Sequence, residues 1–437
     1  MRESHKVQII QWQSLEFSNG RCVSPFCKVT SLLYNGFSRS SILPEGGFYL
    51  ATGPKMRINP SMLVWARQDC GYSLEEAARK IRVKPEVLKS WETGWDSPTL
   101  RQLRALGKTY RRPAALFYLD TPPDDRPAIA DFRTVHRAEP DLSPELGFEI
   151  RKAYDRRRIA CELMNDMGEE IPDFDLNAVL SESAQEVAHR IRMRLGISVE
   201  AQFAWPDQYE ALRSWISAVE KSGVLVFQST DIPLAQMRGF SISKRPLPVI
   251  TLNGKDSPRG RIFTLLHEFV HLTLDDSGIC DLRDQDPGSR NDLETFCNYI
   301  AAEVLVPREA LLAQPLVQQH RGKRWDDSDL SRLANRFKVS QEVMLLRLLL
   351  FGLADQEFYQ EKRLEYRRIY AQHLQESSKE GYEPYYRRVL RANGRAYTGI
   401  VLDAFYQKII GPIELSNYLG GIKFDHMNSI EKALLGT

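Results

Sequence analysis

The 437-residue sequence contains only 6 cysteines and 8 histidines, and no apolar run reaches the roughly 18 residues that a membrane-spanning helix requires. Nor does a basic head followed by an apolar core open the chain, so neither membrane insertion nor secretion is expected. Cysteines this few and irregularly spaced form no disulfide framework, which points to a reduced, cytoplasmic protein. Cys22 and Cys27 make an x4 pair without the matching second pair that a zinc knuckle needs. Net charge is nearly absent too. At +2 it excludes a partner chosen by bulk charge and leaves the question to local patches. What remains is 43% apolar and 27% charged residues, the balance of a globular protein. The length is roughly three times that of a usual domain, so two or three domains are expected.

Residues 1–55 differ from the rest. Glycine, serine and aromatics are scattered without period, SRSSILPEGG reads as loop, and a poorly ordered or atypical extension is expected. From Asn59 the pattern sharpens. Pro60 stands at a helix start, and Met62, Leu63, Trp65 and Ala66 follow at helical spacing. Ser73 and Glu76 have the spacing of a capping box, with Leu74, Ala77, Ala78 and Ile81 facing inward. A third short helix runs from Pro85 to Trp91, and Thr99 opens a fourth. Small residues at Ala77 and Ala78 allow the close helix crossing that a helix-turn-helix needs. The stiff segment TPPDDRP, 121–127, marks a boundary. A long charged helix is expected from Pro144 to Met167. Strands are expected at 223–227, 237–242 and 248–252, and helices at 259–274 and 291–304. The remainder reads as helical, with 401–420 forming two small helices across a turn.

The run TLLHEFVHLTL, Thr264 to Leu274, places His267 and His271 four residues apart. On a helix such positions lie on one side, so both imidazoles can meet one ion. Glu268 is rotated by about 100° from the first histidine, beside the ion and not on it, where a carboxylate can take a proton from water. The alternative is a buried apolar helix with two incidental histidines, but an unpartnered imidazole pair in a core is costly. Neutral imidazoles suit zinc, Zn2+, and a catalytic zinc has three protein ligands with one open position. Glu294, at the head of an otherwise apolar helix, is the leading third ligand. Asp275, Asp276, Cys280, Asp281 and Glu303 are the competitors. Asn298, one turn after Glu294, could steady a ligand histidine. Arg261 or Tyr299 could donate to an oxyanion, and strand 248–252 is expected to offer an exposed backbone for pairing with an extended substrate, as edge strands do.

In the helix-turn-helix segment the third helix carries Lys84 and Lys89 where base edges or phosphates would be reached. Arg79, Lys80 and Arg82 make a basic rim for phosphate contacts, while Glu86 opposes them. An ordinary solvated face is the competing reading. Specific recognition of duplex DNA by a unit this small implies a homodimer on paired half-sites.

RGRIFTLLHEFVHLTLDDSGICD followed by ETFCNYIAAEVLVP resembles the ImmA/IrrE-type zinc metallopeptidases. GVLVF, RGFSIS and LPVITLNG ahead of the histidine helix are similar to the strands of the same family. RINPSMLVWARQDCGYSLEEAARKIRVKPEVLKSWETG resembles the Cro/repressor-type (XRE) helix-turn-helix fused ahead of many such domains. FYLDTPP and DFRT resemble their connector, and the segment ending ELSNYLG their helical tail. The resemblance implies zinc on His267, His271 and Glu294, Glu268 as general base, and Asn298 behind the ligands. It implies a predominantly helical α+β fold: 56–120 as helix-turn-helix, 121–145 as connector, 146–310 as gluzincin-like peptidase with a small sheet, and 311–437 as helical C-terminal region, while the extension at residues 1–55 departs from the family pattern. It further implies a protein substrate of repressor or antitoxin-like kind, cleaved under stress. Two other readings stand beside it: a DNA-binding regulator with a structural or sensory zinc site, and a protein-binding scaffold without catalysis.

Overall fold

Asn59 accepts a hydrogen bond from the Ser61 amide and starts α1, Pro60–Asp69, with proline in the first turn, where its missing N–H costs nothing. The computed structural model describes residues 53–122, 143–275, 279–280, 292–376 and 383–435. The Cys22 and Cys27 pair, most of the 1–55 extension, the DFRT segment and the competitors Asp276 and Asp281 lie outside these residues, and of Cys280 only the backbone is described. Lys55, just ahead of the helical bundle, bridges to Thr99 and ion-pairs with Asp96.

Helix α2, Leu74–Ile81, carries the full capping box, Ser73 and Glu76 each bonding the other's backbone amide. Such a cap contributes about 1 kcal/mol. Arg82 turns the chain through a left-handed conformation into α3, Pro85–Glu92. A second box, Thr99 with Gln102, opens α4, Leu100–Thr109, and a 3-10 turn follows at Ala114–Tyr118. Met62, Leu63, Ala77, Ala78, Leu88, Trp91, Leu103 and Leu106 close one core. Phe148 of the next helix, α5 (Pro144–Met167), joins it. Arg151 of α5 is 3.1 Å from Asp69 of α1, so the small bundle is seated on α5 by both apolar and ionic contacts.

The segment between α5 and the first strand, for which no element is among the sequence-based expectations, folds as α6, Ala184–Leu195, α7, Val199–Ala204, and α8, Gln208–Lys221. Then come β1, Leu225–Ser229, β2, Gly239–Ile242, and β3, Val249–Asn253. Helix α9 covers Pro258–Thr273, β4 is the pair Ile279–Cys280, and α10 covers Asp292–Leu305. The helical remainder begins with α11, Arg308–Leu312, α12, Pro315–Gln319, α13, Asp327–Phe337, α14, Gln341–Leu350, and α15, Gln356–Glu376. It ends with α16, Tyr385–Asn393, α17, Arg395–Tyr406, α18, Pro412–Tyr418, and α19, Met427–Leu435. The expected strands and main helices are present within a few residues of the expected bounds. No described helix is long and apolar enough to cross a membrane.

The sheet order is β1-β3-β2-β4, with β1 parallel to β3 and the other pairs antiparallel. Alternate residues serve opposite faces. Val226, Ile250 and Leu252 pack into a core with α6, α8, α9 and α10, while Leu225, Phe227, Phe240, Ile242 and Val249 pack with α5 and the C-terminal helices. A sheet covered on both faces needs apolar residues throughout, which is why its strands read as nearly continuous runs.

That topology corrects one expectation. β3 lies inside the sheet with both neighbours paired, so strand 248–252 has no free edge for a substrate. Sequence alone places a strand but does not give its neighbours.

Candidate metal centre

Helix α9 is fixed at its start before any functional side chain appears. Ser257 accepts from the Gly260 amide at 3.0 Å, and Asp256 is held by Arg238 at 3.2 Å and by the Tyr370 hydroxyl at 2.6 Å. From Ile262 to Thr273 every residue of the helix is buried. Ile262, Leu265, Leu266, Phe269 and Val270 fill the core against α8, α10 and the sheet, which leaves His267, Glu268 and His271 with no rotational freedom about the helix axis.

His267 Nε2 and His271 Nε2 are 3.1 Å apart. Glu294 enters from α10 with one carboxylate oxygen 3.2 Å from His267 Nε2 and the other 3.3 Å from His271 Nε2. These separations are close to the edge of a tetrahedron with metal–ligand bonds of about 2.0 Å, which is about 3.3 Å. Three electron-pair donors converge here, while His267 Nδ1 is buried without a hydrogen-bond partner among the described residues. Protons alone satisfy such a cluster poorly, and a divalent cation fits its donor set. Burial would raise the Glu294 carboxyl, but the hydrogen-bonding imidazoles of His267 and His271 hold it well below the usual carboxylate range.

Glu268 is fully buried, and neither carboxylate oxygen has a hydrogen-bond partner among the described residues. Burial pushes its proton affinity up. His271, His267 and the Ser241 hydroxyl oppose that rise, and Glu294 adds to it. A carboxylate raised in this way is a stronger base than one in water, which suits it to accept a proton.

Of the competitors, the two with described side chains, Glu303 and Asp275, are not part of the cluster. Glu303 forms a buried ion pair with Arg347 and accepts from the Arg308 amide. Asp275 is exposed just beyond α9. Arg261 donates to Gln228 at 2.7 Å, and the Tyr299 ring lies beneath the Arg347 guanidinium, so neither is engaged with the cluster. Asn298 Oδ1 has no partner among the described residues; the neighbour bonded to His271 is Cys297, whose thiol burial pushes up and His271 draws down.

Cys297 is one of three residues absent from the sequence-derived site. It lies about one turn after Glu294, as Asn298 does, so spacing marks both positions and does not choose between them. Ser241 and Gly239 had no such signal. They share the β2 face turned toward α9, opposite Phe240 and Ile242, and a strand reveals which face meets a helix only once it is packed.

In the N-terminal bundle Arg79, Lys80, Arg82, Lys84, Glu86 and Lys89 are all exposed. Lys80 covers the Tyr72 ring and lies 3.9 Å from Glu145 of α5, which turns it toward the peptidase side of the bundle.

Residues 219–349 match the family model described as IrrE N-terminal-like domain, and residues 63–117 match a helix-turn-helix model. No curated protein matches the chain. The protein is a fusion of a helix-turn-helix domain with an ImmA/IrrE-like peptidase domain, and the peptidase segment contains His267, Glu268, His271 and Glu294.

Proposed function

We propose that this fusion is a DNA-binding transcriptional regulator that cleaves a partner protein by zinc-dependent hydrolysis. The observation carrying the reading is the convergence of His267, His271 and Glu294, with Glu268 beside them on the same helix. In this reading His267, His271 and Glu294 hold the zinc, whose chemistry when bound is to acidify a water and polarise the scissile carbonyl. Glu268 takes the proton of the attacking water and delivers it to the leaving amine. Cys297 keeps the His271 ring oriented, and the Ser241 hydroxyl on β2 favours the charged form of the Glu268 carboxylate. The donor set supports zinc over a harder ion because two of its three members are imidazoles. A purely structural zinc would have four protein ligands and no use for Glu268.

The helix-turn-helix domain supports binding to duplex DNA in general. Lys84 and Lys89 on the exposed side of α3 are proposed as the reading residues, with Arg79 and Arg82 on phosphates and Lys80 at the margin. A homodimer on paired half-sites accords with the size of the unit. The proposed substrate is a repressor or antitoxin-like protein, and the proposed division of labour is DNA address in 56–120 and hydrolysis in 146–310. Coexpression with neighbouring repressor-like proteins, wild type against Glu268→Gln, tests the reading. Fragments seen by mass spectrometry only with the wild type are expected. Equal fragments from both would reject the assignment of Glu268, and none from either would reject that substrate class.

A further inference from the structure

A cleft of about 340 Å3 opens where three parts of the fold meet: the turn after α4, the middle of α5, and the C-terminal turn beyond α18. Its size is at the lower end of small-molecule sites. None of the residues proposed for DNA lines it, and the metal centre is absent from its walls.

Its charge is lopsided. Arg111, Arg112, Arg151, Lys152 and Arg156 line it, and Asp155 is the single carboxylate in the wall among the described residues. Two further carboxylates lie behind. Asp69 is 2.9 Å from Arg112 and 3.1 Å from Arg151. Glu149 is shared loosely, 3.4 Å from Lys152 and 3.9 Å from Arg111. Arg156 donates to neutral acceptors, the Ala392 carbonyl at 2.8 Å and the Asn393 side chain. Among the described residues, five cations of the wall thus stand with three carboxylates, of which Asp155 is also 4.0 Å from Arg158 outside it, in a partly enclosed space where repulsion is poorly screened.

Arg111 is also held in a left-handed backbone conformation, φ 48°, a costly state for a residue with a side chain. Gly107 permits that turn, since a Cβ there would meet the Arg112 carbonyl at 2.8 Å. Burial and the nearby Arg156 press the Lys152 ammonium below its ordinary range, and Glu149 opposes them. An anion in the cleft would relieve both the repulsion and the lysine. Guanidinium forks and an ammonium around one cavity are the donor set that phosphate groups select.

We propose that this cleft binds a phosphate-bearing small molecule, between a diphosphate and a nucleotide in size. The ligand bridges the end of the helix-turn-helix bundle, α5 and the C-terminal turn. The geometry favours a compact anion over a DNA strand, because the cations line a cavity and not a ridge.

Isothermal titration of the full chain with inorganic pyrophosphate and with a nucleoside diphosphate tests this, using wild type, Lys152→Gln, Arg111→Gln and the double variant Lys84→Ala/Lys89→Ala. Saturable binding with Kd below about 1 mM is expected for at least one probe, weakened about tenfold or more by each cleft substitution and unchanged in the α3 variant. Tighter binding of the nucleotide than of pyrophosphate would assign part of the affinity to the base. Thermal melting without ligand checks that each variant is folded; Arg111, whose side chain is 47% exposed, carries the test if Lys152→Gln unfolds. Absence of saturation, equal affinity in the cleft variants, or loss only in the α3 variant would overturn the proposal.

Discussion

Gly239 of β2 lies directly against Thr264 of the histidine helix: a Cβ at Gly239 would stand 2.5 Å from Thr264 Cγ2 and 3.4 Å from Glu268 Cγ. The strand and the helix approach so closely only because that position has no side chain. The closeness sets how deep α9 sits over the sheet, and therefore where Glu268 is held.

Gly239→Ala is expected to lower stability by about 1–3 kcal/mol, since an overpacked core must shift backbone to relieve the clash. Urea unfolding measures it. The clash falls on Thr264, and Glu268 is the one proposed site residue among the three nearest atoms that this Cβ would meet. Hydrolysis should therefore fall more than metal content does; a Gly239→Ala protein with wild-type stability and turnover would contradict the packing argument.

Glu268→Gln is expected to leave the metal bound and to reduce hydrolysis by at least 100-fold, within the range for loss of a general base (about 10²–10⁴). Glu294→Ala and His267→Ala are expected to lose the metal itself. Elemental analysis of the three purified variants separates the groups. Full zinc occupancy in Glu294→Ala would remove Glu294 from the ligand set.

Lys84→Ala with Lys89→Ala should weaken DNA binding and reduce the dependence of log K on log salt by about 0.9 for each phosphate no longer neutralised. Gel shifts at several salt concentrations give the slope. An unchanged slope and affinity would locate the DNA surface elsewhere on the bundle.

Glu220 of α8 accepts from the Arg395 and Ala396 amides at the start of α17, and burial pushes its carboxyl up to about 7 against the pull of those amides. A carboxyl whose folded pKa is raised contributes stability that is fully present below its unfolded value, about 4.3. That contribution is lost as pH rises through about 7. Glu220→Gln keeps an acceptor for both amides but cannot ionise. Its stability relative to wild type should therefore improve between pH 5 and pH 8, by about 2–3 kcal/mol. Denaturant midpoints across that interval test it, and parallel profiles for the two proteins would exclude the buried carboxylate as the cause.

Much of this protein is legible without coordinates. Capping residues mark helix starts through local hydrogen bonds, so Ser73 with Glu76 and Pro144 locate the starts of α2 and α5. His267 and His271 share a helix face by helical geometry alone. No element is among the sequence-based expectations for residues 168–222, although Val187, Ala188, Ile191 and Leu195, and then Ala211, Leu212, Trp215, Ala218 and Val219, recur at helical spacing and form the buried faces of α6 and α8. Asn298 and Cys297 show a limit at the site. Both lie about one turn beyond Glu294, and only the rotation of α10 against α9 determines that the thiol, and not the amide, bonds to His271.

The sequence by itself determined the ligand chemistry: an imidazole pair and a neighbouring carboxylate on one rigid helix, a consequence of bond geometry along a few consecutive residues. Tertiary structure alone decided which distant carboxylate joins them, that β3 is enclosed between neighbours, and that Gly239 and Ser241 face Glu268. Those outcomes depend on how separate elements stack to exclude water, and the energy of stacking belongs to pairs of surfaces that no single stretch of chain contains.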